Sequence, residues 1–157
     1  MNGRPVVSNS SPVIALHRIG RLGLLEAVFG NIEVLPAVVR EVTIRTSLPQ
    51  WITETSLTQP IGAQILRASL GAGESEAIAL ALEREPQFLL LDDWPARRLA
   101  LRLTLPVAGT LAVLVLAKRR GVIPSIKPEI NNLMSSGFRA SLAVVDEVLK
   151  AAGESVE

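Results

Sequence analysis

The sequence predicts a three-layer α/β fold with a central, mainly parallel sheet flanked by helices. Short apolar segments alternate with segments of helical period along nearly the whole chain, the pattern of a sheet wrapped by helices. The run Phe88-Leu89-Leu90-Leu91 is apolar without polar alternation, as expected of a strand covered on both faces. Hydrophobic residues make up 48% of the chain and aromatic ones only 3%, which suits an aliphatic core.

Each element follows from local chemistry. Arg4 to Ser8 is a short strand ending in the polar Ser8-Asn9-Ser10. Ser10 or Ser11 can cap the next helix, with Pro12 in its first turn. Val13, Ile14, Leu16 and Ile19 form its apolar face, and Gly20 ends it. Leu22, Leu24, Leu25, Val28 and Phe29 form a second helix that stops at Gly30. Ile32 to Leu35 is a strand, and Pro36 restarts a helix through Val38, Val39 and Val42. The stretch Thr43 to Pro60 reads as a loop around an edge strand, Ile52 to Leu57. A helix from Ile61 to Leu70 leads to a turn, Gly71-Ala72-Gly73, and then to a helix from Glu74 to Glu85. Phe88 to Leu91 is the next strand. Asp93 caps a helix from Trp94 to Leu103, with Pro95 in its first turn. Pro106-Val107-Ala108 is a last strand, and Gly109-Thr110 turns into an apolar helix ending at Arg120-Gly121. Helices at Lys127 to Ser136 and Ala140 to Ala152 complete the pattern.

Composition narrows the function. The 157 residues suit one domain over 1–152, with a disordered tail at 153–157. Aromatics are too few for a base-stacking module of the RRM or OB kind. A net charge of +1 provides no global basic field, so any nucleic-acid contact must come from a local patch. With no cysteine there is no disulfide, thiolate nucleophile or cysteine-type zinc site. No charged leader followed by an apolar stretch opens the chain. The longest apolar run, Leu111 to Ala117, is far short of the roughly 20 residues that span a bilayer. A cytoplasmic protein without membrane attachment is expected.

The candidate chemistry lies in carboxylates spread over fifty residues. Glu41 closes one helix, Glu74 and Glu76 open another, and Asp92-Asp93 ends an apolar strand. In a parallel sheet, strand ends and helix starts form one crevice, and carboxylates gathered there repel unless a proton or divalent cation offsets them. That points to a hard metal and phosphodiester chemistry. Each residue also has a simpler use. Asp93 suits a cap, Glu74 and Glu76 suit a helix start, and Glu41 suits a surface. Arg97, Arg98 and Arg102 could hold a phosphate backbone or form ordinary ion pairs. His17 reads as a packed or solvated helix residue. Lys118-Arg119-Arg120 is a cationic helix end that the dipole favours without any function. Gly71-Ala72-Gly73 lacks the lysine of a phosphate loop.

Several segments together resemble the PIN-domain superfamily, specifically the DUF3368 group of VapC-like toxins. They are residues 6–16, 35–42, 73–81 and 90–98, with Gly109-Thr110-Leu111, Ala117 to Gly121 and Gly137-Phe138-Arg139. The resemblance implies a metal-dependent endoribonuclease with three or four acidic residues around Mg²⁺ or Mn²⁺. By position the first acidic site falls on Asn9, the second on Glu41, the third on Glu76 or Glu74, and the fourth on Asp93 or Asp92. Thr110 falls where a small polar residue supports the site, and Arg97 or Arg98 is expected to position RNA. Asn9 departs from the pattern, because an amide oxygen ligates a cation without neutralising it. Extra carboxylates, Asp92 and Glu74, could compensate. The resemblance also implies RNA as substrate, a cognate antitoxin protein as partner and a homodimer. The alternative is a degenerate PIN domain that binds RNA or a protein without cutting.

Overall fold

The computed structural model describes residues 3–155. Among them, five strands form one sheet: β1 (Val6–Ser8), β2 (Ile32–Val34), β3 (Ile52–Glu54), β4 (Phe88–Leu90) and β5 (Val107–Ala108). Their order is β3-β2-β1-β4-β5 and every pairing is parallel. The helices are α1 (Ser10–Arg18), α2 (Gly23–Phe29), α3 (Pro36–Thr43), α4 (Ile61–Leu66), α5 (Ala72–Arg84), α6 (Trp94–Arg102), α7 (Thr110–Arg119), α8 (Lys127–Ser135) and α9 (Leu142–Ala151). The expected three-layer α/β architecture is the observed one. No helix of the described residues is long and apolar enough to cross a membrane.

Successive strand residues face opposite layers, as the two-residue period requires. Val6, Ile32, Val34, Leu90 and Ala108 pack with α1, α2 and α7 in one core. Val7, Leu89 and Leu91 pack with Ala77, Ile78, Leu80 and Ala81 of α5 and with Ala96 and Ala100 of α6 in the other. The continuous apolar run at β4 is therefore shared between two cores. Glu33 is the polar exception within β2: Arg84 of α5 grips its carboxylate with two bonds of 2.7 Å.

Three local expectations change. Asn9, not Ser10 or Ser11, is the N-cap of α1, and its side chain makes no capping bond. Gly71 alone caps α5, and Ala72 and Gly73 are already helical, so the turn is one residue where three were expected. A glycine pair reads as a turn, yet Gly73 lies within α5, where an added Cβ would come within 3.3 Å of Asn9 Oδ1. The edge strand stops at Glu54, with one further bond from the Thr55 amide to Val34 at 2.7 Å. The chain then turns toward α4, whose entry is held by Glu83 accepting from the Thr58 and Gln59 amides.

The expected disordered tail is also corrected at Glu154. Its carboxylate accepts from the amides of Ile126 (2.7 Å) and Lys127 (3.2 Å), from Ser125 Oγ (2.8 Å) and from Lys118 Nζ (3.0 Å). It thus satisfies free amides at the start of α8. Val156 and Glu157 lie outside the described residues. Lys118-Arg119-Arg120 turns out to tie α7 to its neighbours. Lys118 holds Glu154, Arg119 donates to the Ala151 carbonyl, and Arg120 donates to the Val28 carbonyl.

Partial burial pushes the Glu154 pKa up, but the Ile126 amide, Lys118, Ser125 and the Lys127 amide outweigh it and bring it down to about 2. A depressed carboxylate pKa stabilises the fold above the unfolded value near 4.5, and that contribution is lost as pH falls toward 2. Glu154→Gln is therefore expected to cost about 2 kcal/mol at pH 7, discounted for the solvent that still reaches the group. Denaturant melts of wild type and variant should converge between pH 4.5 and 2. An equal gap at pH 7 and pH 2.5 would show that the carboxylate's charge contributes nothing.

Candidate active site

The sheet order sets where a site can form. From β1 the chain passes to β2 and β3 on one side, then returns to β4 and β5 on the other. The switch falls between β1 and β4, and parallel sheets open their binding crevice outside the carboxyl ends of such a pair. Asn9 follows β1 there, and its amide donates to the Leu90 carbonyl at 3.0 Å. Asp92 leaves β4 two residues after that carbonyl. Gly109 leaves β5 beside it, where the Leu91 amide bonds the Ala108 carbonyl at 2.9 Å.

Asp92 is held from the third strand end. Its Oδ1 accepts from the Thr110 amide at 2.8 Å and its Oδ2 from Thr110 Oγ1 at 2.6 Å. Thr110 is fully buried at the first turn of α7, so this grip fixes the carboxylate's orientation. Gly109 makes room for it: a Cβ there would lie 2.9 Å from Asp92 Oδ1 and 2.9 Å from Arg97 Nη1. Its backbone is extended, so the demand for glycine is steric and not conformational.

Asn9 is 3% exposed, and its Oδ1 is buried without a hydrogen-bond partner. Such an orphaned acceptor costs roughly 1–3 kcal/mol, so its persistence asks for a missing donor or cation. The start of α5 closes over it: a Cβ on Gly73 would stand 3.3 Å from that oxygen. Next along the chain, Ser10 Oγ donates to Glu41 Oε2 at 2.7 Å, which ties the exposed Glu41 of α3 to the same strand end. Glu74 folds back over its own helix start, its Oε2 lying 2.6 Å from where a Cβ on Gly71 would be.

The remaining candidates are engaged elsewhere. Glu76 pairs with Arg67 at 2.7 Å, beyond the end of α4. Asp93 is exposed and caps α6, accepting from the Ala96 amide at 3.1 Å. Arg97 lies partly buried against Asp92, whereas Arg98 on the same helix is exposed. His17 lines a small cleft with Val13, Val42, Arg45 and Thr46, on the α1–α3 flank. Among the described residues, no three His, Asp or Glu side chains stand close enough together to hold a metal ion as they are. The structure thus brings Asn9, Asp92 and Thr110 to adjoining strand ends and links Glu41 to them through Ser10. It leaves Glu76 and Asp93 with other partners. Ser10, Gly73 and Gly109 are the site residues that sequence reasoning passed over; their only signal was small size at strand ends and helix starts.

A family model described as DUF3368: PIN domain matches residues 5–154. The chain belongs to this family of PIN domains. PIN domains form a nuclease-type superfamily, and the strand ends of β1 and β4 are where this one presents its acidic and amide oxygens. Comparison with curated proteins and with solved structures returns no match. The donor set of this PIN domain suits a hard dication: oxygen ligands only, with an amide oxygen that lacks any other partner.

Proposed function

We propose that this PIN domain is a metal-dependent endoribonuclease, the toxin of a toxin–antitoxin pair acting in the cytoplasm. The observation that supports it most is the orphaned Asn9 Oδ1 at the switch point, beside the strand end that presents Asp92. Asn9, Asp92 and Glu41 would hold Mg²⁺ or Mn²⁺, with Glu74 and Glu76 as the outer carboxylates, while Asp93 serves as the cap of α6. The bound ion would supply an activated water and offset the charge that develops on the phosphate.

The chain's own groups do the positioning. Thr110 fixes the Asp92 carboxylate through both oxygens, so that it presents a constant face to the crevice. Ser10 steadies Glu41, an exposed side chain that would otherwise sample many rotamers. Arg97 and Arg98 offer guanidinium donors to the phosphates on either side of the scissile bond. A cognate antitoxin protein and a second copy of the chain are the protein partners this reading includes. Ile61 and Ile65 on one face of α4, with Leu82 of α5, leave an exposed apolar surface of the kind partners cover.

A second reading, a degenerate PIN domain that binds RNA or a protein without cutting, is favoured by the neutral Asn9 and by the other bonds of Glu76 and Asp93. Incubating the protein with single-stranded RNA in Mn²⁺, with and without excess EDTA, separates the two. Cleavage in Mn²⁺ that EDTA abolishes is the expected result. Intact RNA in both samples, with binding indifferent to the chelator, would select the degenerate reading.

A further inference from the structure

Arg97 has more donors than partners. It ends the first turn of α6, and its Nε is buried with no acceptor. Its Nη1 and Asp92 Oδ1 each lie 2.9 Å from the point a Cβ on Gly109 would occupy. Guanidinium and carboxylate therefore share one hollow that only glycine leaves open. They do not bond there: among the described residues Arg97 forms no ion pair, and both Asp92 oxygens accept from Thr110. A delocalised charge with five donors, left unsatisfied beside a carboxylate, is a local cation without a committed partner.

We propose that Arg97 is the resident counter-cation of this site, a positioning residue that governs how tightly the metal binds. This rests on the metal-dependent reading given above. Before a metal enters, the guanidinium offsets part of the Asp92 charge through the Gly109 hollow. A dication arriving at the same carboxylate is repelled by it, since two cations a few ångströms apart interact strongly where water is partly excluded. An RNA phosphate relieves the conflict, because its negative charge offsets that of the guanidinium. Metal and RNA then favour each other's binding, and linkage makes that effect reciprocal.

The test needs no substrate. Wild type, Arg97→Gln and Arg97→Lys are titrated with Mn²⁺ alone by calorimetry at low ionic strength. Arg97→Gln is expected to bind on the order of tenfold more tightly, and Arg97→Lys, which keeps the charge, to stay near wild type. Wild-type binding with an unchanged or weaker Arg97→Gln would overturn the role of Arg97 and leave the metal site standing. No binding by either protein would overturn both. Should Arg97→Gln fail to fold, Arg97→Met, which keeps the apolar stem and removes the charge, gives the same reading. It too is expected to tighten Mn²⁺ binding, and weaker or unchanged binding counts against the proposal.

Discussion

Asp92→Asn is expected to lower metal-dependent RNA cleavage by at least about a hundredfold, while Asp93→Asn leaves it nearly unchanged. The two residues are adjacent and chemically identical, so sequence alone treats them alike. Their bonds differ. Asp92 stands at the switch point and is gripped through both oxygens by Thr110. Asparagine there retains one acceptor for the Thr110 amide, and Oγ1 can reverse to accept from the new NH₂. The expected stability cost is therefore only about 1 kcal/mol, while the negative charge is lost completely. Asp93 is an N-cap facing solvent, and asparagine caps a helix about as well as aspartate. Asp93→Ala, by contrast, should cost about 1 kcal/mol of stability with little change in rate. Cleavage rates and melting curves on the three variants check this together. If Asp93→Asn is the inactive one, the metal-facing carboxylate has been assigned to the wrong residue of the pair.

The fold was legible because its signals are local and repeated. Apolar runs bounded by Gly30, Pro36, Pro95 and Gly109 mark most element boundaries within a residue or two. Misreadings fell where long-range packing decides. Gly73 looks like turn material, but it is small because Asn9 Oδ1 needs the space above it. Glu154 looks like a free tail residue, and nothing in its neighbourhood along the chain announces the amides at Ile126 and Lys127 that receive it. The site was legible as a set of residues and not as a geometry. Spacing could place Glu76 near the buried face of α5, yet only the fold reveals that Arg67, nine positions earlier, takes its charge. Likewise Asp92 and Asp93 separate only when Thr110, eighteen residues on, is seen to choose one of them.

Asn9→Asp is the sharpest test of what the crevice is built to hold. Asparagine is the departure from an all-acidic set, and it is tolerable in the folded protein because it adds no charge where 97% of its surface is lost. An aspartate in its place would meet the Asp92 strand end on one side and the Glu41–Ser10 link on the other. Without metal, an ionised buried carboxylate lacking a partner costs about 3–5 kcal/mol, less whatever the start of α5 returns through its dipole. In a chain of this size that corresponds to a fall in melting temperature of roughly 10 °C. The carboxyl can escape only by taking up a proton, so its pKa rises. The penalty should accordingly be full at neutral pH and shrink as pH falls through the raised value. Mn²⁺ reverses the balance, because the same charge that destabilises the empty crevice binds the ion. At 100 times its dissociation constant a ligand returns about 2.7 kcal/mol, so millimolar Mn²⁺ should bring the variant most of the way back to the wild-type melting point. Melting curves at pH 7 with EDTA and with Mn²⁺ read both halves of the prediction. A variant as stable as wild type in EDTA and indifferent to Mn²⁺ would mean that position 9 does not face a cation site. Its orphaned oxygen would then be a cost the fold simply tolerates, and the degenerate reading of this PIN domain would stand.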